Sequence, residues 1–164
     1  MNVYQVLVER LASELIKRNA RIATAESCTG GWIAKVLTDM PGSSAWFEYG
    51  FVSYGNSAKT TMLGVNPALI DKCGAVSAEV AEAMVTGALA AANAQLALAV
   101  TGIAGPDGGT PEKPVGTVWF AFAAAGRGVV STRQHFEGDR DTVRRQTVST
   151  ALTGVLKYLE QAGG

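Results

Sequence analysis

Ala25-Glu26-Ser27-Cys28-Thr29-Gly30-Gly31-Trp32 follows a short apolar run, Arg21 to Ala25, and opens a segment in which Trp32, Ile33, Val36 and Leu37 recur at helical spacing. Small hydroxyl and glycine residues between a strand and a helix leave backbone N–H groups uncovered at the positive end of the helix, where an anion can sit. The same residue types are ordinary helix caps and turn formers, so this stretch reads as a cap or as a phosphate cradle. A second loop of like character, Thr101-Gly102-Ile103-Ala104-Gly105-Pro106-Asp107-Gly108-Gly109, also follows directly on an apolar run, Leu96 to Val100. Two such loops at strand ends point to one site at the edge of a sheet.

The rest of the chain supplies that sheet and its cover. Val3, Tyr4, Leu7, Val8, Leu11, Ala12, Leu15 and Ile16 recur every three or four residues, predicting an amphipathic first helix ending near Asn19. Asp39-Met40-Pro41-Gly42 stops the second helix. Trp46 to Tyr54, rich in aromatics, reads as a strand. A helical turn follows through Met62 with Asn56 as cap, then a short helix opened by Asn66-Pro67 and ended by Gly74. Ser77 caps an alanine-rich helix running to about Ala92. Leu96 to Val100, Val115 to Phe122 and Val129 to Phe136 read as strands, and Asp139 begins the last helix. This mixture is α/β, with helices for both faces of one sheet.

At 164 residues, 48% hydrophobic and 17% charged, the composition is that of one globular domain rather than a disordered chain. Fourteen basic and fourteen acidic residues cancel, so no general field favours nucleic acid or an anionic membrane. The amino terminus lacks a basic segment followed by an apolar one, and no apolar stretch is long enough to span a bilayer. Cys28 and Cys73 form no CxxC or zinc pattern, which fits a reduced, cytoplasmic setting.

Amide or ester hydrolysis without a metal needs a nucleophile, a base and oxyanion donors. The single histidine, His135, lies in an alternating segment and reads better as a half-exposed strand residue. Lys59 is the stronger base candidate: at a helix start, the dipole and unsatisfied N–H groups disfavour its charged form, and burial would add to that. Ser27, Ser44 and Cys28 are the candidate nucleophiles, and spacing does not rank the two serines. Tyr54 offers a phenol to Lys59 or to substrate. Thr101 and the N–H groups after it are candidate donors to an oxyanion or phosphate, and Arg140 is a candidate anion ligand. Asp107, Glu112, Asp139 and Asp141 match no recognised metal loop, so no metal is expected.

Thr24 to Gly31, Gly42-Ser43-Ser44, Ser53 to Lys59, Gly74 to Ser77, Thr101 to Pro106 and Pro114 to Val118 together resemble the CinA carboxy-terminal family, in order over almost the whole chain. The resemblance implies a three-layer α/β/α fold with a mixed central sheet in a single domain over 1–164. It implies hydrolysis of the carboxamide of nicotinamide mononucleotide to nicotinate mononucleotide and ammonia, by a serine-lysine pair without metal or cofactor. On matching positions the nucleophile would be Ser44 and the base Lys59, with Tyr54, Thr101 and Arg140 completing the site. Ser27, Cys28, Thr29, Gly30 and Gly31 would line the same pocket, with Gly102, Ile103, Ala104 and Gly105 of the second loop. Two alternatives stand beside it: a non-catalytic nucleotide-binding module, and a serine-lysine hydrolase of another small amide. Neither nucleic acid nor membrane is an expected partner, and assembly into a homo-oligomer is left open.

Overall fold

In the computed structural model, which describes residues 3–161, five strands form one sheet in the order β2-β1-β3-β4-β5. The strands are β1 (Ile22–Glu26), β2 (Phe47–Val52), β3 (Leu96–Gly102), β4 (Thr117–Ala124) and β5 (Val130–His135). β1 runs parallel to both β2 and β3, whereas β4 and β5 are antiparallel additions, so the sheet is mixed. The carboxyl ends of β1, β2 and β3 therefore share one edge, where open α/β sheets bind ligands.

The helices are α1 (Val3–Lys17), α2 (Trp32–Thr38), α3 (Asn56–Leu63), α4 (Pro67–Cys73), α5 (Ala78–Ala92) and α6 (Arg140–Gln161). Strand alternation divides their cover into two unlike layers. Ile22, Leu96, Leu98, Val100, Phe120 and Phe122 pack on the side of α1, α2 and α6. Ala23, Ala25, Ala97, Ala99, Ala121 and Ala123 face α5 and the α3 side. An alanine surface lets α5 lie close to the sheet. Gly87 of α5 lets α3 approach in turn, since a Cβ there would run into the Leu63 carbonyl. This close stacking brings Lys59 of α3 under the sheet edge.

Element boundaries follow the local chemistry with two adjustments. The second strand is Phe47–Val52, so Trp46 is buried just before it and Tyr54 stands just beyond it. At α3 the cap is Gly55 in extended conformation, without a side-chain cap bond, and Asn56 is the first helical residue. Asn66 and Ser77 cap α4 and α5 as their positions predict, accepting from the N–H groups of Ala68 and Val80. Among the described residues no helix is long and apolar enough to cross a membrane.

Candidate active site

Consecutive residues at the end of β1 point to opposite faces, and this alternation organises the site. Glu26 turns toward α2, and Ser27 turns toward α3. Ser27 is still held in the sheet, its N–H donating to the Val100 carbonyl at 3.1 Å. Its Oγ accepts from Lys59 Nζ at 3.0 Å. Lys59 Nζ also donates to the Tyr54 carbonyl at 3.0 Å, and Ser27 Oγ lies 3.4 Å from that same oxygen. One backbone carbonyl thus braces both side chains.

Lys59 is 1% exposed and, among the described residues, forms no ion pair with a carboxylate. Burial holds its pKa below the ordinary lysine value, because an ammonium loses hydration there without a counter-charge. Desolvation is the largest cause; Lys59 stands one full turn inside α3, its N–H donating to the Gly55 carbonyl. Burial pushes the neighbouring Cys28 thiol up to about 12, which disfavours the nucleophilic thiolate.

Tyr54 joins the amine to a cation. Its carbonyl accepts from Lys59, while its phenol oxygen accepts from Arg140 Nη2 at 3.1 Å. Arg140, the first residue of α6, also donates Nη1 to the Gly105 carbonyl at 2.9 Å, seating the guanidinium on the second glycine-rich loop. Gly105 has φ +83°, and a Cβ there would collide with Val115, so the loop needs glycine at that place. Ser27, Tyr54, Lys59, Thr101, Gly102, Ile103, Ala104, Gly105, Asp107 and Arg140 line one cavity of about 290 Å³. A larger open groove of about 510 Å³ lies away from these groups, between β5 and α6.

Several expected roles change. Ser44 sits exposed in a 3-10 turn, Ser43–Ala45, that precedes β2, whereas Lys59 lies beyond that strand's far end. Six residues of extended chain span about 20 Å. No bend at Gly50 shortens this, since Gly50 pairs with Thr24 inside the ladder. Ser44 and Lys59 therefore do not meet, and Ser27 is the hydroxyl that Lys59 touches. Thr101 lines the cavity, but its hydroxyl donates to the Ala75 carbonyl at 2.8 Å, so its proton is not available to an oxyanion.

The first loop is also no phosphate cradle. Glu26 Oε1 accepts from Thr29 Oγ1 at 2.6 Å and from the Ile33 N–H at 2.8 Å, and Oε2 accepts from the Ala34 N–H at 2.9 Å. This carboxylate, 1% exposed, fills the helix terminus that an external anion would need. Gly30 and Gly31, both with positive φ, make the turn around it rather than a ligand contact. Cys28 lines the cavity; Thr29, Gly30 and Gly31 do not.

Two positioning residues were not singled out from the sequence. Glu26 is one, visible only once the strand register directs it to α2. Arg144 is the other: one turn after Arg140, it donates Nε to the Cys28 carbonyl at 3.0 Å and Nη2 to the Thr29 carbonyl at 3.2 Å. The four-residue spacing of the arginines on a helix was the available signal. Among the described residues no three His, Cys, Asp or Glu side chains gather as metal ligands would.

The CinA C-terminal domain model matches residues 4–159. The chain belongs to the CinA C-terminal domain family. Within it, the chain is 56% identical over 157 residues to the nicotinamide-nucleotide amidohydrolase PncC of Pseudomonas putida, covering 96% of this chain and 98% of that one. The PncC of Escherichia coli K12 is 56% identical over 146 residues, 89% of this chain and 88% of the other. Among solved structures of the family, the competence/damage inducible protein CihA of Agrobacterium tumefaciens superposes with TM-score 0.93 at 42% identity, over 98% and 97% of the two chains.

Proposed function

We propose that this CinA-family chain is a nicotinamide-nucleotide amidohydrolase, releasing ammonia from the carboxamide of nicotinamide mononucleotide, with Ser27 as nucleophile and Lys59 as base. The observation that carries the chemistry is the buried amine of Lys59, without a carboxylate partner among the described residues and 3.0 Å from Ser27 Oγ on the wall of an open cavity. Near-complete coverage at 56% identity to named amidohydrolases supports the substrate.

Neutral Lys59 keeps an N–H on the Tyr54 carbonyl and turns its lone pair to the Ser27 hydroxyl. As Oγ bonds to the carboxamide carbon, the serine proton passes to Nζ and the carbonyl pair moves onto oxygen. The N–H group of Cys28, which lines the cavity and donates to no oxygen among the described residues, is the donor this reading gives that oxyanion. Collapse breaks the C–N bond, and Lys59 returns its proton to the departing ammonia. Water then attacks the acyl ester; Lys59 takes a proton from it and restores Ser27, leaving nicotinate mononucleotide.

Arg140 binds the 5′-phosphate in this reading. It is a cation on the cavity wall, held by a neutral carbonyl and a phenol rather than by a carboxylate. Two buried or half-buried free cysteines accord with a cytoplasmic setting for the same reaction. Purified protein incubated with nicotinamide mononucleotide should release one ammonia per nicotinate mononucleotide formed. Release from nicotinamide but not from its mononucleotide would contradict the proposal.

A further inference from the structure

The cavity wall carries a charge that the reaction leaves unused. Beside Lys59 and Arg140, its lining includes one carboxylate, Asp107, on the second loop two residues after the Gly105 carbonyl that seats Arg140. Opposite charges lining one small cavity would ordinarily pair. Here they do not: Arg140 spends its two terminal nitrogens on Gly105 and Tyr54, and Asp107 has neither ion pair nor hydrogen bond among the described residues. The lining of one cavity thus holds a carboxylate and a guanidinium that no ion pair neutralises among the described residues, with the buried Lys59 amine between hydroxyl and carbonyl. Such a wall complements a ligand that is itself dipolar, carrying a cation and an anion at separate places.

Resting on the amidohydrolase reading, we infer that Asp107 is a specificity residue that selects the positively charged ring of the substrate. The ring nitrogen bound to ribose makes nicotinamide nucleotides quaternary pyridinium cations, with the phosphate as their separate anion. Arg140 takes the phosphate, and Asp107 faces the cationic end, where no proton can leave to relieve the charge. The site thereby distinguishes the oxidised nucleotide from its 1,4-dihydro form, which has the same carboxamide, ribose and phosphate but a neutral ring. An uncharged amide of similar shape is discriminated against for the same reason.

The test compares wild type with Asp107→Asn, which keeps the shape and removes the charge. Ammonia release is measured with oxidised and with dihydro nicotinamide mononucleotide, and the affinity of each is measured separately by calorimetry. The expected result is that Asp107→Asn weakens binding and kcat/KM for the oxidised nucleotide by about tenfold, mainly through KM. The dihydro form should change by less than about twofold, so that wild-type preference collapses. Equal losses on both nucleotides would mean that Asp107 holds ribose or the loop, and would overturn the inference, as would no loss on either. If wild type binds the oxidised nucleotide in preference yet releases no ammonia, the amidohydrolase reading fails while the charge selection stands. If wild type binds both forms equally, the selection fails on its own.

Discussion

Replacing each serine in turn separates the two possible hydrolytic centres. Ser27→Ala removes the only hydroxyl that Lys59 Nζ contacts among the described residues, at 3.0 Å, but leaves the amine its second partner, the Tyr54 carbonyl at 3.0 Å. Loss of one such hydrogen bond costs about 1 kcal/mol, which in a domain of this size lowers Tm by about 2–4 °C. The fold therefore survives, while loss of the attacking oxygen should lower kcat by about 10⁴- to 10⁶-fold. Ser44→Ala removes an exposed hydroxyl with no hydrogen bond among the described residues. Its effect on stability should stay within about 0.5 kcal/mol, and its rate within about a factor of two of wild type. The assay is ammonia release from nicotinamide mononucleotide at matched, saturating substrate, with thermal melts to confirm folding. Mass spectrometry of quenched reactions should find the acyl group on the peptide containing Ser27. An inactive, folded Ser44→Ala protein beside an active Ser27→Ala protein would refute this reasoning outright.

The lowered pKa of Lys59 gives a signed pH dependence: kcat/KM should rise with pH and level off below the ordinary lysine range, since the neutral amine is the working base. Between that folded value and the ordinary lysine value the unfolded chain binds the extra proton, so stability also rises with pH through the window. Lys59→Met should abolish turnover and flatten this part of the stability profile in pH-dependent melts; a profile unchanged by the substitution would assign the titration elsewhere. Glu26→Gln puts amide hydrogens against N–H donors of α2 and should cost about 2–4 kcal/mol in denaturant unfolding. A loss below about 0.5 kcal/mol would mean that the buried carboxylate is dispensable. Arg140→Ala should raise KM for the mononucleotide at least about tenfold, as expected for a lost charged phosphate contact, and have less effect on the phosphate-free riboside. Equal effects on both substrates would remove the phosphate from Arg140.

Periodicity and caps, which depend on neighbours a few residues apart, were enough to place each strand and α-helix of the described residues, though not the 3-10 turn Ser43–Ala45 or the cap of α3. Ser77 and Asn66 cap where their side chains can reach the next turn, and Pro41-Gly42 ends α2 because neither residue favours continuing it. The two loops at strand ends, Lys59, Tyr54 and Arg140 were likewise legible as residue types at telling positions. Which of them meet was not. Strand direction and order decide that: parallel β1, β2 and β3 bring Ser27, Tyr54 and Thr101 to one edge and send Ser44 to the other. The pleat then gives Glu26 to α2 and Ser27 to Lys59, and a stretch readable as a cap or as a phosphate cradle becomes an internally filled helix end. The lysine's lowered pKa, expected from its helix start with burial adding to it, owes most to desolvation as α3 packs beneath the sheet. Desolvation, hydrogen-bond partners and the company of other charges are properties of a site assembled from distant segments, and only the folded chain assembles it.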